Sequence, residues 1–113
     1  KSNSFVLSLK VTKDHLQAVN IVHGGVLSSL AESCASISAY YNCKLNFKNS
    51  FPVALNLNSS YFKEVKEGLT IYARSKCEKS GLNIQFWSVE IYNDKYIFAT
   101  FKINFLNKTI KIH

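Results

Sequence analysis

Proline occurs once in the 113 residues, at Pro52. Neither an internal repeat nor a low-complexity tract is present, so residues 1–113 read as one domain, large enough to bury a core but too short for two. No run approaches the roughly 18 consecutive apolar residues needed to span a bilayer, and no basic-then-apolar leader opens the chain. Cysteine is sparse: Cys34, Cys43 and Cys77 are odd in number and belong to no CxxC or Cys/His cluster, so no metal is expected. These features point to a reduced, cytoplasmic setting away from membranes. The two N-x-S/T sequons, at Asn58 and Asn107, are read as incidental in an Asn-rich chain. Acidic residues are few, seven against fourteen Lys and Arg, which gives a formal charge of +7. Such a balance suits either a plain solvated basic surface or an anionic partner: nucleic acid, a membrane surface or a phosphorylated small molecule. The lysines are scattered from Lys10 to Lys108 rather than gathered into a block, which argues against the first two.

What is present is a switch of hydrophobic period. Phe5 to Val11 alternates apolar and polar residues as a strand does, and a turn-rich stretch follows to His23. From Gly24 to about Tyr41, Val26, Leu27, Leu30, Cys34, Ile37 and Tyr41 recur every three or four residues and predict one helix with that arc facing the core. A polar loop from Asn42 to Pro52 is expected next. Four strand-like runs then follow, Val53 to Phe62, Leu69 to Glu78, Leu82 to Tyr92 and Tyr96 to Phe105. Short turns at Lys66-Glu67-Gly68, Lys79-Ser80-Gly81 and Asn93-Asp94-Lys95 predict successive antiparallel hairpins. The residues from Asn107 onward are expected to fray. Strands and helix are segregated, so the class is α+β, one helix packed on an antiparallel sheet.

That helix carries the chemical clue. Between Gly24 and Tyr41 its only charged residue is Glu32, while the face opposite the apolar arc is built from Ser28, Ser29, Ala35, Ser36 and Ala39. A helix bathed in solvent usually mixes Lys and Glu. The pattern therefore predicts a helix covered nearly all round, with Glu32 at a protein-lined cleft. Ser29 and Ser36 share its side of the helix and are placed to hold a water beside the carboxylate. A polar residue hydrogen-bonded at a helix edge is the plainer alternative. Gly24 and Gly25 leave the first helical N–H groups uncovered, as oxyanion stabilisation requires, and also suit an ordinary helix start. His23 is placed either to donate to a bound carbonyl or to serve as a structural hydrogen-bonder.

Taken together, QAVNIVHGGVLSSLAE, Gln17 to Glu32, resembles the signature of the hotdog-fold acyl-CoA thioesterases of the PaaI-like type. There HGG opens the central helix and an acidic residue follows nine positions after the His. The resemblance runs on through Ala54 to Gly68 (ALNLNSSYFKEVKEG) and Phe86 to Asp94 (FWSVEIYND). It implies a hotdog fold, a curved antiparallel sheet wrapped around one long helix, in protomers paired edge to edge as a homodimer or as a homotetramer of two dimers, with each active site drawing on both protomers of a pair. It further implies that Glu32 is the catalytic carboxylate, acting as general base or nucleophile. The resemblance gives Gly24 as the N–H donor to the thioester carbonyl, His23 beside it, Gln17 as the residue orienting carbonyl or water, and Ser36 as a water-positioning hydroxyl. Gly25 and Ser29 fall at the substrate, and Lys63 and Lys66 either on the strand end near the coenzyme A phosphates or on a plain exposed surface; Tyr40, Tyr41 and Phe47 are placed either to line the acyl pocket or to serve as plain core. No cofactor is implied, since coenzyme A is part of the substrate, and neither nucleic acid nor membrane is an expected partner.

Two departures stand out: Asn20 where many relatives have Gly, and Gly81-Leu82-Asn83 where many have Gly-Arg, which removes one basic contact to coenzyme A. The competing functions are a non-catalytic hotdog module that binds acyl-CoA or a protein, a hotdog dehydratase, and a nucleic-acid binder. Glu32 together with Gln17 and His23 favours the hydrolase.

Overall fold

The structure, a computed structural model, describes residues 5–16, 22 and 24–110. Gln17 and His23 lie outside the described residues. Strand β1 is Val6–Lys10, a 3-10 turn covers Lys13–His15, helix α1 is Gly24–Asn46, and strands β2 (Ser50–Tyr61), β3 (Thr70–Ser80), β4 (Ile84–Tyr92) and β5 (Ile97–Thr109) complete the chain. The five strands form one antiparallel sheet in the order β1-β3-β4-β5-β2, and α1 packs against it. The fold is the expected α+β hotdog arrangement. Among the described residues no helix is long and apolar enough to cross a membrane.

Hairpins join β3 to β4 and β4 to β5, as the turn residues predict. At the second, Asn93 Oδ1 accepts the backbone N–H groups of Lys95 and Tyr96, both at 2.9 Å, the local side-chain bond that makes Asn a turn former. The predicted hairpin between the second and third strands does not form. β2 crosses to the far edge and pairs with β5 over Ser50 to Thr109 and Tyr61 to Ala99, while β3 takes β1 as neighbour. Turn chemistry around Gly68 says only that the chain reverses, and which edges then meet is a long-range matter. Gly68 itself sits at φ 92°, its N–H bonded to the Val11 carbonyl at 3.0 Å. A Cβ there would meet nothing within 4 Å, so Gly68→Ala isolates backbone strain. Its expected cost is about 1–2 kcal/mol, read as a lower urea midpoint with an unchanged slope.

The helix is rotated from its predicted orientation and longer by about one turn. Its buried residues are Leu27, Ala31, Cys34, Ala35, Ser38, Ala39, Asn42 and Cys43, whereas Ile37 and Tyr41 are 37% and 43% exposed. Ala35 and Ala39, expected on the outer face, are fully buried. The sheet supplies the reason: Trp87, Phe101 and Phe105 are buried in the same core cluster. Large rings on one layer leave room only for small side chains on the other.

Asn42 does not open a loop but ends the buried stripe. Its amide donates to Gln85 Oε1 and to Ser80 Oγ, both at 2.9 Å, and Trp87 Nε1 donates to the same Gln85 oxygen at 2.8 Å. Gln85 Nε2 in turn donates to Asn107 Oδ1 at 2.7 Å. Asn107, expected to fray, is therefore a buried residue inside β5. Its amide also bonds the Gly81 and Leu82 carbonyls of the β3–β4 hairpin. A glycan at that sequon would be incompatible with the fold. Pro52, expected to close the loop, lies within β2, on an edge strand that tolerates a missing N–H.

Candidate active site

Gly24 and Gly25 open α1 in exposed positions, and the first N–H groups of any helix lack intrahelical acceptors. Tyr61, at the end of β2, donates its hydroxyl to the Gly24 carbonyl at 3.3 Å. Its ring meets Phe101 edge-on with centroids 5.7 Å apart, so the helix start is tied to the sheet. A Cβ on Gly25 would meet nothing within 4 Å, and one on Gly24 only the Tyr61 ring and hydroxyl, at 3.4 Å or more. Crowding by the described residues does not demand these glycines.

Glu32 lies on the outer side of α1, exposed, with no hydrogen bond or ion pair to any described residue. Ser29 and Ser36 flank it one turn either way, and neither bonds to it. It follows Gly24 by eight residues, about 12 Å along a helix axis. A reacting carbon must lie about 3 Å from both the attacking group and the oxyanion donors, and a glutamate side chain is far shorter than the gap. The carboxylate and the first amides of one and the same helix are not within direct reach of each other. The expected enclosure is absent too: in the single chain Glu32, Ser33, Ile37, Tyr40 and Tyr41 are all exposed. The exposure has one cause, which is that the sheet of one chain covers only one side of its helix.

The remaining candidates separate into two groups. Gly24, Gly25 and Ser29 line one depression with Leu9 and His15, and Gly24 also lines a second that runs past Tyr61 and Lys63. Lys63 and Lys66 lie together in a third, between the β2–β3 connection and the β4–β5 hairpin. Tyr40 is remote from all three, sixteen residues and about 24 Å along the axis from Gly24, edge-on to Tyr41 at 5.4 Å. Tyr61, His15 and Tyr96 were not singled out by sequence reasoning. Tyr61 stands inside the quoted strand motif, yet nothing in its spacing shows that the chain folds it back onto Gly24.

The thioesterase superfamily model matches residues 19–96, and the chain belongs to that family. A relative from Mycobacterium tuberculosis (strain H37Rv), "Putative esterase Rv1847", is 29% identical over 86 residues, 76% of this chain and 61% of that one. The chain spans about three fifths of the length of the curated relatives it matches. The solved structure of the Rv1847 protein superposes with a TM-score of 0.85 at 26% identity, covering 95% of this chain and 85% of that one. The thioesterase HI1161 of Haemophilus influenzae shares the fold, with a TM-score of 0.86 at 22% identity and coverage of 97% and 75%. So does smu.793 of Streptococcus mutans UA159, solved bound to acetyl CoA, with a TM-score of 0.80 at 20% identity and coverage of 96% and 85%.

Proposed function

We propose that the protein hydrolyses an acyl-CoA thioester to the free acid and coenzyme A at a site shared by two protomers. Glu32 of one chain acts on a carbonyl held by the Gly24 N–H of the other. The observation that carries this reading is an exposed carboxylate without a partner among the described residues, on an otherwise uncharged helix face, two turns from the first amides of its own helix and open to a second copy. Beside that face runs β2, a twelve-residue edge strand unpaired on its outer side among the described residues, with Phe51, Val53, Leu55 and Tyr61 all more than a third exposed. Unpaired edges of this length seek another strand. A two-fold axis through that edge sets the helices side by side and antiparallel, each Glu32 toward the other helix's beginning.

In the reaction the Gly24 amide and the helix dipole stabilise the oxyanion as the carbonyl is attacked. Either Glu32 takes a proton from water while the hydroxide adds, or its oxygen adds directly and water cleaves the resulting anhydride. In both routes the C–S bond breaks and the thiolate of coenzyme A leaves, then takes up a proton. Lys63 and Lys66 stand on the side from which an anionic carrier approaches Gly24. The thioesterase family and the bound acetyl CoA of smu.793 support a CoA thioester as substrate. A cytoplasmic enzyme without a cofactor fits the same reading.

The test is release of free thiol from short-chain, long-chain and aryl acyl-CoAs. Two of the protein's own thiols, Cys34 and Cys43, are buried, burial pushes the Cys34 and Cys77 thiols up, and the half-buried Cys77 is corrected for by a blank without substrate. Turnover of at least one substrate class is expected. Saturable binding with no hydrolysis of any would make the protein a carrier module instead. Light scattering should give twice the chain mass of 12.8 kDa, or four times for a pair of dimers, and a monomer at assay concentration would sink the shared site.

A further inference from the structure

Gly24 and Gly25 give α1 a weak beginning. Glycine disfavours a helix by about 1 kcal/mol relative to alanine, and the first turn carries no acidic side chain to answer the helix dipole. Part of the order of that turn comes from two hydroxyls. Ser28 Oγ donates to the Gly25 carbonyl at 3.2 Å, and Tyr61 donates to the Gly24 carbonyl at 3.3 Å. Tyr61 arrives from a fixed base. It pairs with Ala99 of β5, and the next N–H, that of Phe62, bonds the Phe98 carbonyl at 2.8 Å. Two residues on, the Lys63 ammonium lies over the Tyr96 ring, 4.2 Å from its centroid. The Phe101 ring that Tyr61 meets edge-on is fully buried.

A carbonyl and the N–H that follows it belong to one planar peptide unit. The Tyr61 hydroxyl on the Gly24 carbonyl therefore fixes where the Gly25 N–H points, and a hydrogen bond at one end of the unit strengthens the donor at the other. Held helical from this side, Gly24 also keeps its own N–H along the helix axis. Donors stabilise an oxyanion only as far as they are aimed before its charge develops, and glycine, free of a Cβ, is the residue most ready to turn away. We propose that Tyr61 is a positioning residue for thioester cleavage, its hydroxyl holding the Gly24–Gly25 peptide so that the first amides of α1 meet the oxyanion without rearranging. The bond is exposed and 51% of Tyr61 is open to solvent, so it contributes little to stability and its main effect falls on the reaction. The inference rests on the hydrolase reading above and adds to it a residue of β2, the strand whose outer edge is unpaired among the described residues.

The experiment compares wild type with Tyr61→Phe, which keeps the ring against Phe101 and deletes only the hydroxyl. For acyl-CoA hydrolysis kcat should fall about tenfold, less than the roughly 10²–10³-fold of a deleted oxyanion donor because the amides remain. KM and the melting temperature should stay as in wild type. Two ligands read the same bond by calorimetry without turnover. A trifluoromethyl ketone analogue of acyl-CoA, whose carbonyl carries no thiolate to expel, should bind the variant about tenfold more weakly. The S-propyl thioether of coenzyme A, which has no carbonyl, should bind both proteins equally. Unchanged kcat, or equal affinity of the ketone for both proteins, would overturn the proposal. Equal weakening of both ligands or a lowered melting temperature would overturn it too, because Tyr61 would then be a structural staple. If the wild type hydrolyses no acyl-CoA, the hydrolase reading fails, and the contrast between ketone and thioether still decides whether Tyr61 serves a bound carbonyl.

Discussion

Glu32→Gln is expected to lower kcat for acyl-CoA hydrolysis by about 10²–10⁴-fold, the range of a lost general base, and to leave folding intact. The side chain is exposed and bonded to no described residue, so its replacement by an isosteric amide removes no hydrogen bond or ion pair among the described residues. Retained activity with an unchanged melting temperature would remove Glu32 from the mechanism. A second measurement tests the division of labour between protomers. Gly24→Pro deletes the N–H assigned to the oxyanion, and proline is well tolerated at the first position of a helix. Each variant alone should be inactive. When the two chains are unfolded together and refolded as a mixture, the mixed dimer regains one intact site, Glu32 from one chain facing Gly24 from the other. Activity should return to about a quarter of the wild-type value, since half the dimers are mixed and each has one working site of two. Had both groups served the same site from one chain, mixing would restore nothing.

Asn107→Ala is expected to destabilise the protein by about 2–3 kcal/mol, a shift in melting temperature of about 10 °C. Four bonds are lost at once: the acceptor for Gln85 Nε2 and for the Cys43 thiol, and the donors to the Gly81 and Leu82 carbonyls. Gln85 is fully buried and cannot turn to water, and leaving a buried donor with weaker partners costs more than the bond itself contributes. The remaining acceptors for Gln85 Nε2 are the Ala39 carbonyl at 3.3 Å and the Cys43 sulfur. Lys108→Ala, one residue on and exposed, serves as control and should stay within about 0.5 kcal/mol of wild type. Equal, small effects at both positions would mean that the end of β5 frays after all.

The misjudged positions have a common feature. Asn42, Asn46 and Asn107 are polar, and a periodicity argument assigns polar residues to loops. Here they satisfy one another across the helix end and the β3–β4 hairpin, and such pairing depends on which strands lie under the helix. Ala35 and Ala39 were misplaced for the complementary reason. Small residues are ambiguous about facing until the opposite layer is known, and here that layer is a set of buried rings. The candidate site was legible in outline because its parts are local: glycines at a helix start, one acid two turns on, lysines at a strand end. That Lys63 reaches Tyr96, thirty-three positions later, was not legible.

From the chain alone came the class of fold, the number of strands, the single long helix and the singular position of Glu32 on it, because hydrophobic period and local charge are properties of neighbouring residues. The crossing of β2 to the far edge, the face that α1 buries and the gathering of Lys63, Lys66, Lys95 and Tyr96 were decided only in three dimensions. The separation between Glu32 and its own helix's first amides follows already from the sequence spacing, since eight residues of α-helix have a fixed length.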